Sequence, residues 1–535
     1  MVALTLASFA VPLALALVAS RARNPARVPA LLPWAALPAL LIALTAHEPP
    51  TFELPSLLTG VRLGLDATGR AFLFFSALIW LAAGWSARTW LAGDAHPRRF
   101  TVFFLLAMAG NFGACLALDA AGFYASFALM SLAAYGLIAH DASAPAQHAG
   151  RIYLALALAG EMLILAGLLV GLARTPADPL AVVCIVLGFG AKTGLPLLHV
   201  SLPLAYAAAA PPAAAALAGA MIKIGLLGWM RFLPLGTDAL PGIGSALMLA
   251  GGVAIVYATA AGLAQRQPGA LLAYSSISQM GHITLGIGAA LLVPQLWPAL
   301  AAALTLYAAH HALAKAALFL GLGVAQQRGA TPWVMAGLAL PAFVLAGAPL
   351  TSGMAAKLDL KGALAGLPAP WVDAVPWLLA FGALGTALLM LRGAWLLRRA
   401  PAQPMPGREL AMPWLLLLAC ITVLSAGTLW RMEPHMGDLF AAAVPVALAL
   451  LLAIAALKLR LRAPDVPPGD LLVPLARLGA TLSAVPGWIT PPAVALPVPH
   501  ALRRADPMER RLRAWPVAGA LWLLLAGGML ALLVA

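Results

Sequence analysis

Lysines are the residues of this sequence whose positions point most directly to chemistry. Four of the six, Lys192, Lys223, Lys315 and Lys357, lie within long apolar stretches, and Lys361 lies toward the end of one such stretch. A charged side chain in the middle of a bilayer costs about 2.5–3.5 kcal/mol, so such residues are rare and are usually functional. A buried lysine can lose its proton, whereas an arginine keeps its charge. The pattern therefore predicts lysines that take up and release protons inside a membrane.

Histidines accompany these lysines in the same apolar stretches. His282 follows a run of hydroxyl and amide residues, and His310 and His311 precede Lys315 in the sequence. On a helix, His311 and Lys315 lie one turn apart on the same face. Because histidine can hold or pass a proton near neutral pH, these three residues are predicted members of a proton relay. For His310 alone, a satisfied packing residue is an alternative that the sequence leaves open.

Glu161 is the one carboxylate deep within an apolar stretch, so we predict that it belongs to the relay or is a structural partner of a lysine. Asp359 lies in an interrupted stretch between Lys357 and Lys361. His199 follows Lys192 by seven residues, which would place the two on a similar face of one helix. A single buried lysine can also snorkel or bind a carbonyl at a helix break, but four of them with histidines favour a relay.

The composition is that of a membrane protein. Of the 535 residues, 63% are hydrophobic and 9% are charged, compared with about 25% charged residues in soluble domains. The net charge of +14 does not indicate nucleic-acid binding, because the basic residues lie in short connections between apolar runs. The three cysteines lie in apolar stretches without a CxxC pair, which argues against a disulfide, a zinc site or an iron–sulfur cluster. No cofactor and no metal are predicted, since dinucleotide and phosphate-loop motifs are missing from the sequence as well.

The fold class predicted is an all-α polytopic membrane protein with about 16 transmembrane helices. Each span needs about 20 mainly apolar residues. The predicted spans are 2–20, 28–46, 71–90, 101–118, 120–140, 151–173, 179–199, 208–232, 240–264, 271–293, 296–325, 333–366, 371–397, 412–430, 438–459 and 514–535. The first is predicted to be a membrane helix and not a cleaved signal, because no basic region precedes it.

Charge gives the predicted orientation. Of the 32 basic residues, 22 lie at connections that follow odd-numbered spans, 5 lie on the other side and the remaining five are lysines inside spans. The positive-inside rule then places both termini on the non-cytoplasmic side of a bacterial inner membrane. Residues 463–512 are too rich in proline and arginine to span and form a predicted cytoplasmic connector, with a short surface helix over 470–485. The run 333–366 contains prolines and glycines and is predicted to be a broken helix.

Four motifs resemble one family of membrane proteins. Residues 188–199 read GFGAKTGLPLLH and are followed by MIKIG at 221–225; residues 271–281 read LLAYSSISQMG, residues 311–321 read HALAKAALFLG, and residues 349–357 read PLTSGMAAK. In type and order they resemble the antiporter-like membrane subunits shared by respiratory complex I, hydrogenase-4 and formate hydrogenlyase complexes, and Mrp-type cation/proton antiporters. The match covers residues 100–400 of the sequence.

The resemblance implies two inverted five-helix repeats with broken helices, at 101–232 and 240–397, each with a central lysine. Around them the chain divides into N-terminal transmembrane helices (1–100), C-terminal transmembrane helices (398–462), the connector (463–512) and a final transmembrane helix (513–535). One departure is notable: family members that pump carry a glutamate in the fifth span where this chain has Ala128, and Leu204 stands where another acidic residue is expected. We favour Glu161 as the substitute partner of Lys192.

The function predicted is a proton-conducting membrane subunit of a complex I-like, hydrogenase-4-like or Mrp-type assembly. The relay residues are Lys192, Lys223, Lys315, Lys357, Glu161, His282, His310 and His311. The expected partners are the bilayer, other membrane subunits and protons, with no nucleic acid, and any electron transfer belongs to partner subunits. The alternatives are a Na⁺/H⁺ antiporter subunit, a proton-conducting partner in bicarbonate uptake and a scaffold that no longer conducts.

Overall fold

Long apolar helices make up most of the computed structural model, which describes residues 2–45, 51–54, 60–401, 410–461, 464 and 466–470. In chain order the helices are α1 (Val2–Arg21), α2 (Leu37–Thr45), α3 (Ala67–Trp90), α4 (Pro97–Leu116), α5 (Ala120–Ile138), α6 (Ala144–Ala173), α7 (Pro179–Thr193), α8 (Ser201–Ala208), α9 (Pro211–Ala216), α10 (Ile222–Phe232), α11 (Pro241–Leu263), α12 (Pro268–Leu292), α13 (Trp297–Arg328), α14 (Pro332–Ala346), α15 (Ser352–Ala363), α16 (Trp371–Arg399), α17 (Ala411–Met432) and α18 (Met436–Lys458). Two short strands, β1 (Phe52–Leu54) and β2 (Val61–Leu63), pair with each other. Short 3₁₀ turns at Pro25–Leu31, Trp34–Ala36 and Pro294–Leu296 and a π-helical turn at Leu217–Met221 complete the elements.

The predicted fold class is confirmed. Within the described residues, 12 helical segments are long and apolar enough to cross a membrane. Further crossings are the 25-residue α12 and two helix pairs, α7–α8 and α14–α15, in which one span is divided by a break. Each predicted span up to 438–459 thus coincides with a helix, a turn and helix, or a divided pair. The last predicted span, most of the connector and its surface helix lie outside the described residues.

Aspartates at the edges of the spans begin several helices. The Asp66 carboxylate accepts a hydrogen bond from the Gly69 N–H at 2.6 Å at the start of α3, and Asp119 accepts one from the Gly122 N–H at 2.7 Å at the start of α5. Asp178 begins α7 in the same way, and its hydrogen bond with Arg174 holds the pKa of its carboxyl below the usual value. These N-caps satisfy N–H groups that have no partner inside the helix.

Two breaks shape the middle of the molecule. α7 ends at Thr193, where Gly194 takes a positive φ of 86°, and α14 ends at Ala346, where Gly347 takes a φ of 76°. Glycine adopts this left-handed conformation without the steric cost that a side chain brings. The predicted break within 333–366 is confirmed. The expectation that His199 continues the helical face of Lys192 is wrong, because the helix ends six residues before it.

Glycines set the spacing of α11 and α12. A Cβ atom added at Gly251 would lie 2.6 Å from the Gly281 carbonyl oxygen, and one added at Gly244 would lie 2.7 Å from that of Gly288. Small residues at matching positions let membrane helices approach to backbone contact. This contact fixes the positions of the polar residues that α12 carries toward α13 and α16.

α13 lies at the centre of the bundle. It packs against α3, α9, α12, α14, α15 and α17, and its length from His310 through Ala325 is buried. A helix that is apolar all round is buried on every side, as its sequence requires. Its histidines and lysine therefore have no access to lipid.

The α14–α15 break depends on Gly353. A Cβ atom there would overlap the Val344 carbonyl group, whereas one at Gly362 on the same helix would meet no heavy atom within 4 Å. We expect Gly353→Ala to lower the free energy of unfolding by about 1–3 kcal/mol, as overpacking does. Thermal unfolding of the purified protein in detergent measures the change. Gly362→Ala is the control and should be neutral or stabilising by up to about 1 kcal/mol, and equal effects of the two variants would contradict the expected overlap.

Candidate functional site

Lys192 lies on the last turn of α7, directly before the first break. Its Nζ donates a hydrogen bond to the Tyr153 hydroxyl at 2.6 Å and a longer one to the Ser131 hydroxyl at 3.4 Å. The amine also faces the rings of Tyr153 and Phe127, at 5.1 Å and 5.8 Å from their centroids. The direct partner of this lysine is therefore a phenol from α6, which the sequence did not single out.

Glu161 lies two turns after Tyr153 on α6 and is 3% exposed. It forms no ion pair within 4.0 Å among the described residues, and its Oε1 atom has no hydrogen-bond partner there. Lys192 and Ser131 are its electrostatic neighbours, so the serine lies near both charged groups. Glu161 thus shares the surroundings of Lys192, while Tyr153 occupies the place expected for the missing glutamate.

A small cavity of about 20 Å³ adjoins Lys192. Ser131, Tyr153, Ser201 and Tyr206 give it polar walls, and residues of the π-helical turn close its far side. One water molecule needs roughly 10–15 Å³ and two to four polar partners, so the cavity has the size and the lining to hold one.

The π-helical turn at Leu217–Met221 leads directly to Lys223. The Lys223 amine donates to the Ala218 carbonyl oxygen at 3.1 Å, and the Tyr206 hydroxyl donates to that of Leu217 at 3.3 Å. A π turn leaves carbonyl groups without their usual helical donors, and such turns are frequent at functional sites. The cavity beside Lys192 and the lysine on α10 thus lie on the two sides of one irregular turn.

α13 contributes His310, His311 and Lys315, all of them fully buried. The Lys315 amine donates to the Leu272 carbonyl oxygen of α12 at 2.8 Å. Lys223 is an electrostatic neighbour of all three residues, although it comes from a different helix. Tertiary packing around α13 therefore brings together predicted relay residues that two separate helices carry.

His282 on α12 lies farther along the same direction. Its Nδ1 atom lies 3.0 Å from the Ser278 carbonyl oxygen, and its ring stacks on that of Tyr307 at 5.8 Å. A Cβ atom at Gly382 would overlap the ring, so the glycine of α16 makes the space that this histidine occupies. His282 and His310 both have Lys357 as an electrostatic neighbour.

A chain of hydrogen bonds ties three helices together beside His282. The Tyr307 hydroxyl donates to the Gln279 Oε1 atom at 2.6 Å, and the Gln279 amide donates to the Thr386 hydroxyl at 2.6 Å. Thr386 in turn donates to the Gly382 carbonyl oxygen at 2.7 Å. These residues were not predicted; isolated hydroxyl and amide groups in apolar helices give no signal of their pairing in the sequence.

Lys357 lies on α15 after the second break. Its amine donates to the carbonyl oxygens of Ala346 at 2.7 Å and Leu345 at 3.2 Å, which end α14. The end of a helix carries partial negative charge, which favours a cation. Asp359 points instead to a half-buried ion pair with Arg431, at 2.6 Å.

Buried ring nitrogens mark the same region. His310 and His311 have no hydrogen-bond partner on either ring nitrogen among the described residues, and the same holds for Nε2 of His282. Buried polar atoms of folded proteins nearly always have a partner, from protein or water. No group of three residues in the described ranges has a metal-binding arrangement. The arrangement suits water and protons.

Comparison with known proteins gives matches of one kind. Residues 117–360 match the family model described as NADH:quinone oxidoreductase/Mrp antiporter, TM. NADH-quinone oxidoreductase subunit N of Desulforudis audaxviator is 31% identical over 335 residues, which are 56% of this chain and 65% of that protein. Hydrogenase-4 component B of Escherichia coli is 29% identical over 307 residues, 53% of this chain and 45% of that protein. The chain thus spans about half to two thirds of the length of these relatives.

Two solved structures share the fold. A chain of the membrane-bound sulfane sulfur reductase, an archaeal respiratory membrane complex, superposes with a TM-score of 0.67 at 20% identity, covering 83% of this chain and 98% of its own. A chain of the Mrp complex from a Dietzia species gives 0.66 at 22% identity, covering 85% of this chain and 100% of its own.

The Tyr153 hydroxyl is expected to stabilise the buried amine of Lys192. Tyr153→Phe leaves that amine only the longer contact with Ser131, so we expect a loss of about 1–3 kcal/mol in the free energy of unfolding. Tyr135→Phe is the matched control, because the Tyr135 hydroxyl forms no hydrogen bond with the described residues, and its effect should stay within about 0.5 kcal/mol. Thermal unfolding in detergent measures both, and a Tyr153→Phe protein as stable as the control would show that the contact carries no stability.

Proposed function

We propose, on the premise that residues 117–360 belong to the family of NADH:quinone oxidoreductase and Mrp antiporter membrane subunits, that this chain conducts protons across the bilayer as part of a larger membrane complex. The relatives that match it carry the names of such subunits, and one of them is a Na(+)/H(+) antiporter protein of Alkalihalophilus pseudofirmus at 26% identity.

One observation carries the proposal: basic side chains from four helices form a continuous series of neighbours inside the membrane spans. The series runs from Lys223 on α10 through His311, Lys315 and His310 on α13 and His282 on α12 to Lys357 on α15. Burying so many ionisable groups in a bilayer is costly and is retained where protons or ions pass. A purely structural role does not account for ring nitrogens that no described residue satisfies.

The first lysine joins this series through the cavity. Glu161, Ser131 and Tyr153 surround Lys192, and the polar walls of the cavity lead to the π-helical turn that Lys223 follows. When one member of the series takes up a proton, its positive charge disfavours protonation of the next. Protons would therefore move one at a time along the series, and water would bridge the spaces that side chains do not.

The setting of this activity is part of the proposal. Neighbouring subunits would carry the redox centres or drive the transport, since the relay contains only groups that exchange protons. The bacterial inner membrane, with both termini on the non-cytoplasmic side, fits the distribution of arginines. The division into repeats at 101–232 and 240–397 remains a prediction that fits the two lysine-bearing breaks.

Exchange of Na⁺ is the second candidate, and the antiporter relative favours it. A sodium ion needs several oxygen ligands, and Glu161 is the carboxylate that α6 buries next to Ser131 and Tyr153. The amine of Lys192 beside them opposes a cation there. Transport measured with and without Na⁺ separates the candidates, because proton flux that does not depend on Na⁺ excludes obligatory exchange.

Removing the second-half lysine should stop conduction. In proteoliposomes that contain the assembled complex, we expect Lys357→Ala to lower proton flux at least about tenfold, because positioned proton donors typically contribute factors of about 10² or more. Lys361→Ala is the control, since Lys361 is exposed one turn later on the same helix. Equal fluxes for wild type and Lys357→Ala, with normal assembly of both, would overturn the proposal and favour a scaffold.

Glu161 is expected to matter as a proton carrier beside Lys192. Glu161→Gln keeps the shape of the side chain but cannot exchange its proton, so we expect flux to fall at least about tenfold. Glu433→Gln, an exposed carboxylate between α17 and α18, is the matched control and should keep wild-type flux. If Glu161→Gln also conducts like wild type, Glu161 is a structural residue.

A further inference from the structure

Asp470 is a carboxylate that reaches into the helix bundle from the segment after α18. The Tyr274 hydroxyl of α12 donates a hydrogen bond to its Oδ1 atom at 2.8 Å, and the Tyr257 hydroxyl of α11 donates to its Oδ2 atom. The side chain is 11% exposed, so it is almost enclosed but still touches the outside. Two phenol donors on one carboxylate form a built site with a defined geometry.

The backbone before Asp470 is held as well. The Gln265 side-chain amide donates to the Val466 carbonyl oxygen at 3.2 Å, where α11 and α12 are connected. Tyr257 and Tyr274 each lie six residues inside their helices, which corresponds to about 9 Å of helix length. The segment therefore runs inward from the end of the bundle and places the carboxylate below its surface.

His199 faces this carboxylate from the first break. It is 1% exposed, and its Nε2 atom lies 3.6 Å from the Asp470 Oδ1 atom. Its ring contacts those of Tyr257 and Tyr274 at 5.3 Å and 6.2 Å. Neither ring nitrogen has a hydrogen-bond partner among the described residues, so the imidazole is aimed at the carboxylate without being bound to another group.

We infer that Asp470 and His199 form a proton-loading pair, which brings protons from the aqueous side at the α11–α12 connection to the broken helix that carries Lys192. The inference rests on the proposed proton conduction and adds the place where protons arrive. Hydronium transfers a proton to the Asp470 carboxylate and leaves water; the resulting carboxylic acid transfers that proton to His199 Nε2, which gives imidazolium and restores the carboxylate. The two atoms must approach by less than about 1 Å to form a hydrogen bond.

The tyrosines explain how a carboxylate can serve here. Their hydroxyls hold the two oxygens while the remaining lone pairs stay free, because an ionised carboxylate has about four acceptor positions. The alternative is that Asp470 only clamps the segment after α18 to α11 and α12. Both roles use the same contacts, so the test must separate a proton carrier from a clamp.

The experiment measures proton flux of the assembled complex in proteoliposomes for Asp470→Ala, Asp470→Glu and the control Glu433→Ala. We expect Asp470→Ala to lower flux roughly tenfold, and Asp470→Glu to keep most of it. Added acetate should raise the flux of Asp470→Ala, because a small carboxylic acid can enter the space left by the side chain and replace the carrier. Acetate should leave the flux of Lys357→Ala and of Glu433→Ala unchanged.

A second measurement tests the docking without flux. In a chain with Cys115, Cys184 and Cys420 replaced by serine, the pair Gln265→Cys and Val466→Cys should form a disulfide in the assembled complex. Failure to form it would overturn the docked position and the inference with it. A flux of Asp470→Ala that acetate does not raise, or an Asp470→Glu as impaired as Asp470→Ala, would identify a clamp and overturn the proton-loading role.

The outcomes also separate this inference from the proposed function. Wild-type flux in Asp470→Ala together with lost flux in Lys357→Ala would overturn the loading pair and leave proton conduction in place. Wild-type flux in both variants would overturn the two together.

Discussion

The constraint on which the structure depends is that an amine buried in a bilayer must find oxygen atoms within the protein. Each of the four intramembrane lysines does so: Lys192 through the Tyr153 hydroxyl, and the other three through main-chain carbonyl groups. With no water in the hydrocarbon core, an unsatisfied polar group costs several kcal/mol. Helix irregularities supply the oxygens for two of them, since Lys223 uses a carbonyl of the π-helical turn and Lys357 uses those at the end of α14. The breaks and the π turn are therefore the structural condition for carrying ionisable groups across the membrane.

Close helix packing provides the second condition. Glycines bring α11 and α12 into backbone contact, and Gly382 leaves the space for the ring of His282. α13 is surrounded by six other helices, so its histidines face protein on all sides. Small residues thus allow polar side chains from separate helices to meet where larger residues would keep them apart.

The two halves of the relay differ in chemistry. Around α13 the basic groups are neighbours of one another, and their repulsion makes each sensitive to the protonation of the next. Lys192 instead has a neutral phenol as its direct partner, with Glu161 nearby but not paired. A neutral partner leaves the charge of the lysine uncompensated at short range, so Glu161 and the cavity water take on the electrostatic role of a bound carboxylate.

The sequence alone determined the class of the fold, the positions of the spans and the lysines, histidines and glutamate of the relay. These follow from local properties, because hydropathy over about 20 residues identifies a span and a buried charge is conspicuous within it. The breaks at Gly194 and Gly347 were indicated by glycine and proline within the divided spans. Tertiary structure decided which groups meet. Tyr153 as the partner of Lys192, the Gln279–Tyr307–Thr386 chain and the contact of Asp470 with His199 join residues 28 to 271 positions apart. Isolated hydroxyl, amide and carboxylate groups are common in any sequence, and only the packing of helices shows which of them lie within hydrogen-bonding distance.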